Sequence, residues 1–410
     1  MNSKSRSLEI LLYGKPIGLL THLGGDRSLF SFYESYIEDS ERPTLGLGFK
    51  GDLNNALITE HHPTQTRLIP FFSNILPEGH MRDYLAKRSG IKPMREFFLL
   101  EALGKDLPGA LTVRVLEDAS HSPMEEKIHS EHISLSEEGP LRFSLAGVQL
   151  KFSGIQEATG GLTIPITGER GSWIVKLPSS QFAHVPETEF SMLMLAKMVG
   201  IDVPEIALID TKSIHGLPKE MQNFNGQSFM IKRFDRTLGG ELIHSEDFAQ
   251  VFGVYPEDKY NKGSFRNILE VIARESTEHD VMELIRRLTF NVLIGNADMH
   301  LKNWSLIYKD KKRPSLAPAY DFVSTIAYIP DEKMALKVSR TKRFDSFTKD
   351  ELAHLAIKTG LSESLVMNMA LETIESFHKH WALEKKNLPL SLSVIKAIDE
   401  HVKKIPLAKR

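Results

Sequence analysis

Apolar positions along this chain recur with two different periods, and the change from one to the other divides it. Near the amino terminus they alternate. Residues 8–20 read as two short strands around Gly14-Lys15-Pro16, a turn whose glycine and proline set the backbone angles. Leu29-Phe30-Ser31-Phe32 and Thr44-Leu45-Gly46-Leu47-Gly48-Phe49 carry further strand character. Leu76-Pro77-Glu78-Gly79 then leads into a helix over 81–88. Pro93 opens a second helix that runs to Leu103 with Gly104 as its stop, and 111–116 returns to a strand. After a polar interval, strands are expected over 141–152, 172–178, 204–209 and 228–234. One helix interrupts them, beginning near Pro186 and ending at Gly200. Beyond this, helical spacing dominates in 245–254, 264–274, 278–294, 348–359, 362–382 and 391–405. The exception is a strand pair, 304–308 and 315–320, joined by the charged turn Lys309-Asp310-Lys311-Lys312-Arg313-Pro314.

These patterns predict an α+β unit over 1–116, a linker or exposed loop over 117–140, a second sheet-bearing unit over 141–236 and a mostly helical unit over 237–410. A chain of 410 residues exceeds what one hydrophobic core usually serves, which agrees with several packed units. With 41% hydrophobic and 25% charged residues and a formal net charge of -2, bulk charge gives no reason to expect direct nucleic-acid binding. The absence of cysteine excludes disulfides and thiolate metal sites. Residues 1–7 are polar, Leu8-Glu9-Ile10-Leu11-Leu12 is too short and too charged for a signal-peptide core, and no long apolar run follows. The expectation is a cytoplasmic protein without membrane contact. His121, His129 and His132 lack carboxylates at helical spacing and read as solvated loop histidines. The Met192, Met194, Met198 stripe reads as core packing, and the 309–314 turn as a solvated hairpin tip.

The chemistry concentrates in Gly295-Asn296-Ala297-Asp298-Met299-His300-Leu301-Lys302-Asn303. An aspartate with an asparagine five residues on is the skeleton of a phosphotransferase loop. The carboxylate meets an incoming hydroxyl, and the neutral amide oxygen holds a metal on nucleotide phosphates. Asp321, eighteen residues past Asn303 and at the end of the expected strand, supplies the second metal-binding carboxylate. Upstream, Lys176 stands amid apolar strand neighbours and needs an anion, either phosphates or a helix carboxylate. Glu187 and Glu189 follow in the first turn of the next helix. Either can pair with Lys176, and either can simply complement the helix dipole. The small pair Ala146-Gly147 allows backbone to approach phosphate, and backbone near 232–236 is placed to meet adenine. His300 and Tyr320 flank these residues and are expected to shape the nucleotide pocket. No GxGxxG loop exists, and Val323 replaces the glycine that would complete an Asp-Phe-Gly motif, so this is no ordinary eukaryotic-type protein kinase.

Six stretches together resemble the HipA family of serine/threonine kinases, toxins of bacterial type II toxin-antitoxin pairs. They are Leu76-Pro77-Glu78-Gly79, residues 144–151, Ile174-Val175-Lys176-Leu177-Pro178, Phe234-Asp235-Arg236, residues 295–303 and Tyr320-Asp321. The resemblance covers nearly the whole chain. It implies an α+β, protein-kinase-like bilobal fold, with an amino-terminal subdomain, a small lobe over 141–236 and a helical C-lobe. Asp298 would be the base, Asn303 and Asp321 the Mg²⁺ ligands and Lys176 the phosphate clamp. Ala146, Gly147, Val148, Gln149, Leu150 and Lys151 would form the ATP phosphate loop, and Lys232, Arg233 and Phe234 the adenine hinge. Ser144 matches a serine that such kinases autophosphorylate, and phosphate there would repel nucleotide. Implied partners are a protein of translation such as an aminoacyl-tRNA synthetase, and a small HipB-like helix-turn-helix antitoxin through which DNA is met indirectly. Leu150 and Met299 depart from residues common in the family, without touching the base or a metal ligand. Two other functions fit the same residues: a kinase of a small molecule or lipid, and a non-catalytic partner in an antitoxin–DNA repressor complex.

Overall fold

The computed structural model describes residues 6–51, 56–104, 106–116, 151–156, 162–163, 171–217, 221 and 223–409. The first sheet holds β1 (Arg6–Leu12), β2 (Lys15–Leu23), β3 (Arg27–Phe32), β4 (Thr64–Gln65) and β5 (Leu111–Leu116) in the antiparallel order β4-β3-β2-β1-β5. The β1–β2 hairpin turns at Tyr13-Gly14, both at positive φ, a backbone that matches strand twist; Lys15 and Pro16 already belong to β2. Against this sheet pack α1 (Glu34–Glu38), α2 (Pro70–Asn74), α3 (Gly79–Arg88) and α4 (Glu96–Leu103), around a core that includes Leu8, Ile10, Phe30, Phe72 and Leu100. The second helix thus starts at Glu96, three residues after Pro93.

The second sheet runs β10-β7-β6-β8-β11-β9, from β6 (Lys151–Gln156), β7 (Leu162–Thr163), β8 (Trp173–Lys176), β9 (Ile206–Asp210), β10 (Ile214–His215) and β11 (Gln227–Lys232). Helix α5 (Val185–Met198) packs on it and buries Met192 in the core, although Met194 is only half-buried. A third sheet joins β12 (His244–Asp247), β13 (Ser305–Tyr308) and β14 (Ser315–Leu316). Around it gather α6 (Phe248–Val251), α7 (Phe265–Glu275), α8 (Glu278–Ile294), α9 (Lys349–Thr359), α10 (Glu363–Glu384) and α11 (Leu392–Val402). Hydroxyl caps at Ser264, Thr277, Thr348, Ser362 and Ser391 start α7 to α11, and Gly295 and Gly360 in the left-handed region end α8 and α9. No helix among the described residues is long and apolar enough to cross a membrane.

Two expected elements differ. Residues 245–254 do not form one helix, because His244–Asp247 pairs with β13 and helix starts only at Phe248. There Asp247 and Gln250 close a capping box. Residues 44–49 form no strand but a 3-10 turn over Leu47–Phe49. Their alternating glycines serve close packing. A Cβ on Gly46 would lie 2.8 Å from Glu246 Oε2, and one on Gly48 would lie 3.2 Å from the Gln250 carbonyl.

That turn is where the amino-terminal unit docks onto the third sheet. Leu47 N donates to Glu246 Oε1 (2.9 Å), the Tyr308 hydroxyl donates to the same carboxylate, and His244 Nε2 meets the Leu45 carbonyl at 2.7 Å. Glu246 is buried, and burial pushes its carboxyl from 4.5 up to about 8. The folded state therefore holds this proton where the unfolded chain has lost it. The stability it gives is complete below pH 4.5 and disappears as pH rises through about 8. Thermal unfolding of the wild type should show a midpoint that falls as pH rises from about 4.5 to about 8, and Glu246→Gln should largely remove that fall.

Candidate active site

Lys176 ends β8 with its ammonium buried between two carboxylates, Glu189 from α5 and Asp321 from the loop after β14. Of the two glutamates weighed in the first turn of α5, Glu189 is the partner. Glu187 lies against the exposed ring of His184, at 3.4 Å. Burial works against the lysine's charge, but the carboxylates of Asp321 and Glu189 outweigh it and hold its pKa above that of a free lysine. A positive charge is thus fixed where strand, helix and loop converge.

Asp321 does not end a strand. Regular pairing stops at Leu316, and Asp321 sits in a loop at φ +57°, a left-handed conformation uncommon outside glycine. What holds it is Asn296, whose side chain is fully buried. Its Nδ2 donates to the Asp321 carbonyl (3.3 Å) and to Asn291 Oδ1 (2.8 Å), while its Oδ1 accepts from the Asp298 amide (3.0 Å). One side-chain amide therefore ties the backbone of Asp298 to that of Asp321. Thr325 adds a second tie, its Oγ1 accepting from Ala297 N at 2.7 Å. Gly295 is required twice here, since its φ is +66° and a Cβ would lie 2.4 Å from Ile326. Neither Asn296 nor Thr325 stood out in the sequence. The one available signal was an uncharged polar residue inside the Gly-Asn-Ala-Asp run directly after a helix.

Asn303 Nδ2 donates to the Asp298 carbonyl at 2.8 Å, which closes the loop over 295–303 on itself and leaves the amide oxygen as that group's acceptor. Asn303 and Asp321 offer hard oxygen donors, the set that suits a small divalent cation on phosphates. Among the described residues, no group of three or more His, Cys, Asp and Glu side chains could hold a metal. A site completed by phosphate and water oxygens does not need one. Asp298 Oδ1 accepts a hydrogen bond from the Tyr260 hydroxyl at 2.7 Å. His300 packs edge-on against the Tyr260 ring, 5.0 Å between centroids, and burial together with the nearby Lys259 charge lowers its pKa to about 3, so the imidazole is neutral.

Tyr320 is anchored by its hydroxyl, which donates to the Lys302 carbonyl (2.9 Å) and meets Ser305 Oγ (2.5 Å). Its ring faces Phe234 at 5.7 Å. The rest of the expected hinge is turned elsewhere. Lys232 Nζ pairs with Glu205 (2.9 Å), and the amides of Lys232 and Arg233 already donate to the carbonyls of Glu205 and Ser172. The Arg233 guanidinium is buried among Asp106, the Leu107 carbonyl and Asp235. Asp235 in turn accepts from Gly109 N at 2.8 Å, and Arg236 reaches Asp106 and the carbonyls of Leu107 and Gly109. Arg233, Asp235 and Arg236 therefore fasten the amino-terminal unit to the end of β11. Lys151 lies in register opposite Lys176 across β6–β8, its side chain outside the described residues, as are Ser144, Ala146, Gly147, Val148, Gln149 and Leu150.

A second fastening lies at the loop that carries Asp298 and Asn303. Glu78, just before α3, contacts Lys302 Nζ at 2.6 Å and Lys259 Nζ at 2.7 Å, and Lys302 also donates to the Asn74 carbonyl at 2.7 Å. Burial alone would raise the Glu78 carboxyl, but the charges of Lys302 and Lys259 bring it down to about 2. One carboxylate of the amino-terminal unit thus grips the residue before Asn303 and the residue before Tyr260.

Comparison with known proteins places this architecture. Residues 8–114 match the family model of the HipA N-terminal domain, and residues 143–381 match that of the HipA-like C-terminal domain. The chain is 53% identical over 403 residues to the protein named "Putative kinase Y4dM" of Sinorhizobium fredii, covering 98% of this chain and 97% of that one. It is 25% identical to the serine/threonine-protein kinase toxin HipA of Shewanella oneidensis, over 89% of this chain and 86% of the toxin. Its fold matches a chain of the solved Shewanella oneidensis HipA, HipB and operator DNA complex with a TM-score of 0.72, at 21% identity and with 98% and 96% of the two chains covered. With family matches along most of its length and a kinase-like core between them, this chain belongs to the HipA family of kinases.

Proposed function

We propose that the protein is an ATP-dependent serine/threonine protein kinase, in which Asp298 receives the proton of a protein hydroxyl as the γ-phosphoryl group is transferred. The observation that carries this reading is the convergence of Lys176, Glu189 and Asp321 beside a loop that presents Asp298 and Asn303. Phosphoryl transfer asks little covalent help of a protein, so positioning and charge stabilisation are the tasks to be met. Lys176 clamps the α/β phosphates. Asn303 and Asp321 offer oxygen donors to Mg²⁺, which neutralises charge on the phosphates when bound. Asn296 fixes base and metal ligand relative to each other, and neutral His300 adds no charge that would compete for the Asp298 carboxylate. A phosphate loop over residues 146–151, with autophosphorylation at Ser144, belongs to this reading.

The relatives extend it. A growth-arresting toxin acting on a translation component, held by a HipB-like antitoxin that carries the contact with DNA, is the biological role we propose. The toxin HipA of Shewanella oneidensis and its assembly with HipB and operator DNA support it.

Asp298→Ala should lower phosphate transfer from Mg·ATP by about 10²–10⁴-fold while the protein stays folded. Phosphosite mapping should find phosphate on Ser144 of the wild type and none on the variant; equal transfer by both proteins would refute the assignment. Glu78→Gln leaves Lys302 and Lys259 without their shared carboxylate. It should reduce kcat between about tenfold and 100-fold through misplacement of the loop, with little change in KM for ATP. An unchanged kcat would show that the catalytic loop holds its geometry without the amino-terminal unit.

A further inference from the structure

Tyr260 follows the 3-10 turn Pro256–Asp258 and lies across the outer side of the catalytic loop, the residue 38% exposed. We propose that its hydroxyl oxygen stands where the acceptor oxygen of the transfer reaction must stand, so that an acceptor has to displace the tyrosine before it can react. The proposal rests on the kinase reading above. A general base and the hydroxyl whose proton it takes lie roughly 2.6–3.2 Å apart. Tyr260 Oη lies 2.7 Å from Asp298 Oδ1 and donates to it, the same contact in kind and in length. The phenol is also held as a donor. Burial, the Asp298 charge and the hydrogen bond itself all raise its pKa, so its proton stays on oxygen.

The support of this tyrosine separates backbone from hydroxyl. The Tyr260 carbonyl accepts from Lys342 Nζ at 2.8 Å, the Lys259 carbonyl accepts from Leu301 N at 3.3 Å, and Lys259 Nζ is paired with Glu78. The ring edge rests on His300. These contacts fix the main chain, while rotation about the Tyr260 Cα–Cβ bond carries ring and hydroxyl together away from His300 and Asp298. In the reaction, the acceptor oxygen gives its proton to Asp298 and bonds to the γ-phosphorus. The bond from that phosphorus to the β–γ bridging oxygen breaks, and the nucleoside diphosphate leaves. A serine or threonine on a flexible, extended peptide segment is slim enough to take the place of the phenol from the exposed side. Water, which brings no further contacts, is kept from the base.

The test compares wild type, Tyr260→Phe and Asp298→Ala in steady-state transfer from Mg·ATP to dephosphorylated casein, together with release of inorganic phosphate to water. Phenylalanine keeps the ring on His300 and removes only the competing hydroxyl. A charge-assisted hydrogen bond of this kind corresponds to roughly a tenfold effect. KM for casein should therefore fall about tenfold in Tyr260→Phe with kcat nearly unchanged, and phosphate release to water should rise. Phosphate mapped onto Tyr260 of the wild type would likewise place its oxygen at the acceptor position. An unchanged KM and unchanged hydrolysis, or a loss of kcat in Tyr260→Phe, would overturn the proposal, the latter because the phenol would then orient the base. Wild-type turnover no faster than that of Asp298→Ala would instead overturn the kinase reading on which it rests.

Discussion

The site depends on one buried ammonium. Lys176 is held by Glu189 and Asp321, and these three residues come from a strand of the second sheet, the helix packed on it and a loop of the helical unit. Removing an ion of this kind from water costs several kcal/mol, which two hydrogen-bonded carboxylates offset, and Lys176 without them would be a buried unpaired charge. The arrangement therefore fixes the spatial relation of the two units across the cleft. It also sets a positive charge beside the carboxylates of Glu189 and Asp321, the arrangement on which the proposed phosphate and metal site is built. Asn296 carries that geometry onward to Asp298 through a single side-chain amide.

The amino-terminal unit takes part in the same construction at both ends. At the hinge, Gly109, Asp106 and the Leu107 carbonyl bind the Arg233, Asp235 and Arg236 cluster. At the catalytic loop, Glu78 holds Lys302 and Lys259. Between them, Leu45 and Leu47 meet His244 and Glu246. Buried polar and charged groups that complete their hydrogen bonds across a contact favour one docking geometry over others, because a slip leaves some of those bonds unmade. Leu-Pro-Glu-Gly contributes Glu78 to one fastening, and Phe-Asp-Arg contributes Asp235 and Arg236 to the other.

Much of this was legible in the sequence where a local rule governs. Helices α7 to α11 appear where apolar spacing and a hydroxyl cap agree, with a terminal glycine added at α8 and α9, and Lys176, Asp298, Asn303 and Asp321 stand out because the chemistry of phosphate asks for those residue types in that order. What remained hidden depends on partners far along the chain. His244–Asp247 becomes a strand because residues 305–308 lie beside it, and residues 44–49 lose their strand because glycines are needed against Glu246 and Gln250. The choice between Glu187 and Glu189 follows from which face of α5 meets β8. Arg233 reads as a nucleotide contact until Asp106, 127 residues earlier, claims its guanidinium. Asn296 and Tyr260 escaped notice because a neutral amide and a phenol announce no chemistry until their neighbours are known.

The most direct measurement of the central claim is calorimetric titration of ATP into the wild type and into Asp321→Asn, each with and without Mg²⁺. A metal-assisted phosphate site built on Asn303, Asp321 and Lys176 predicts binding that Mg²⁺ strengthens in the wild type, with that gain largely lost in the variant. Equal ATP affinity with and without the metal, or an Mg²⁺ effect that survives the loss of the Asp321 carboxylate, would contradict it.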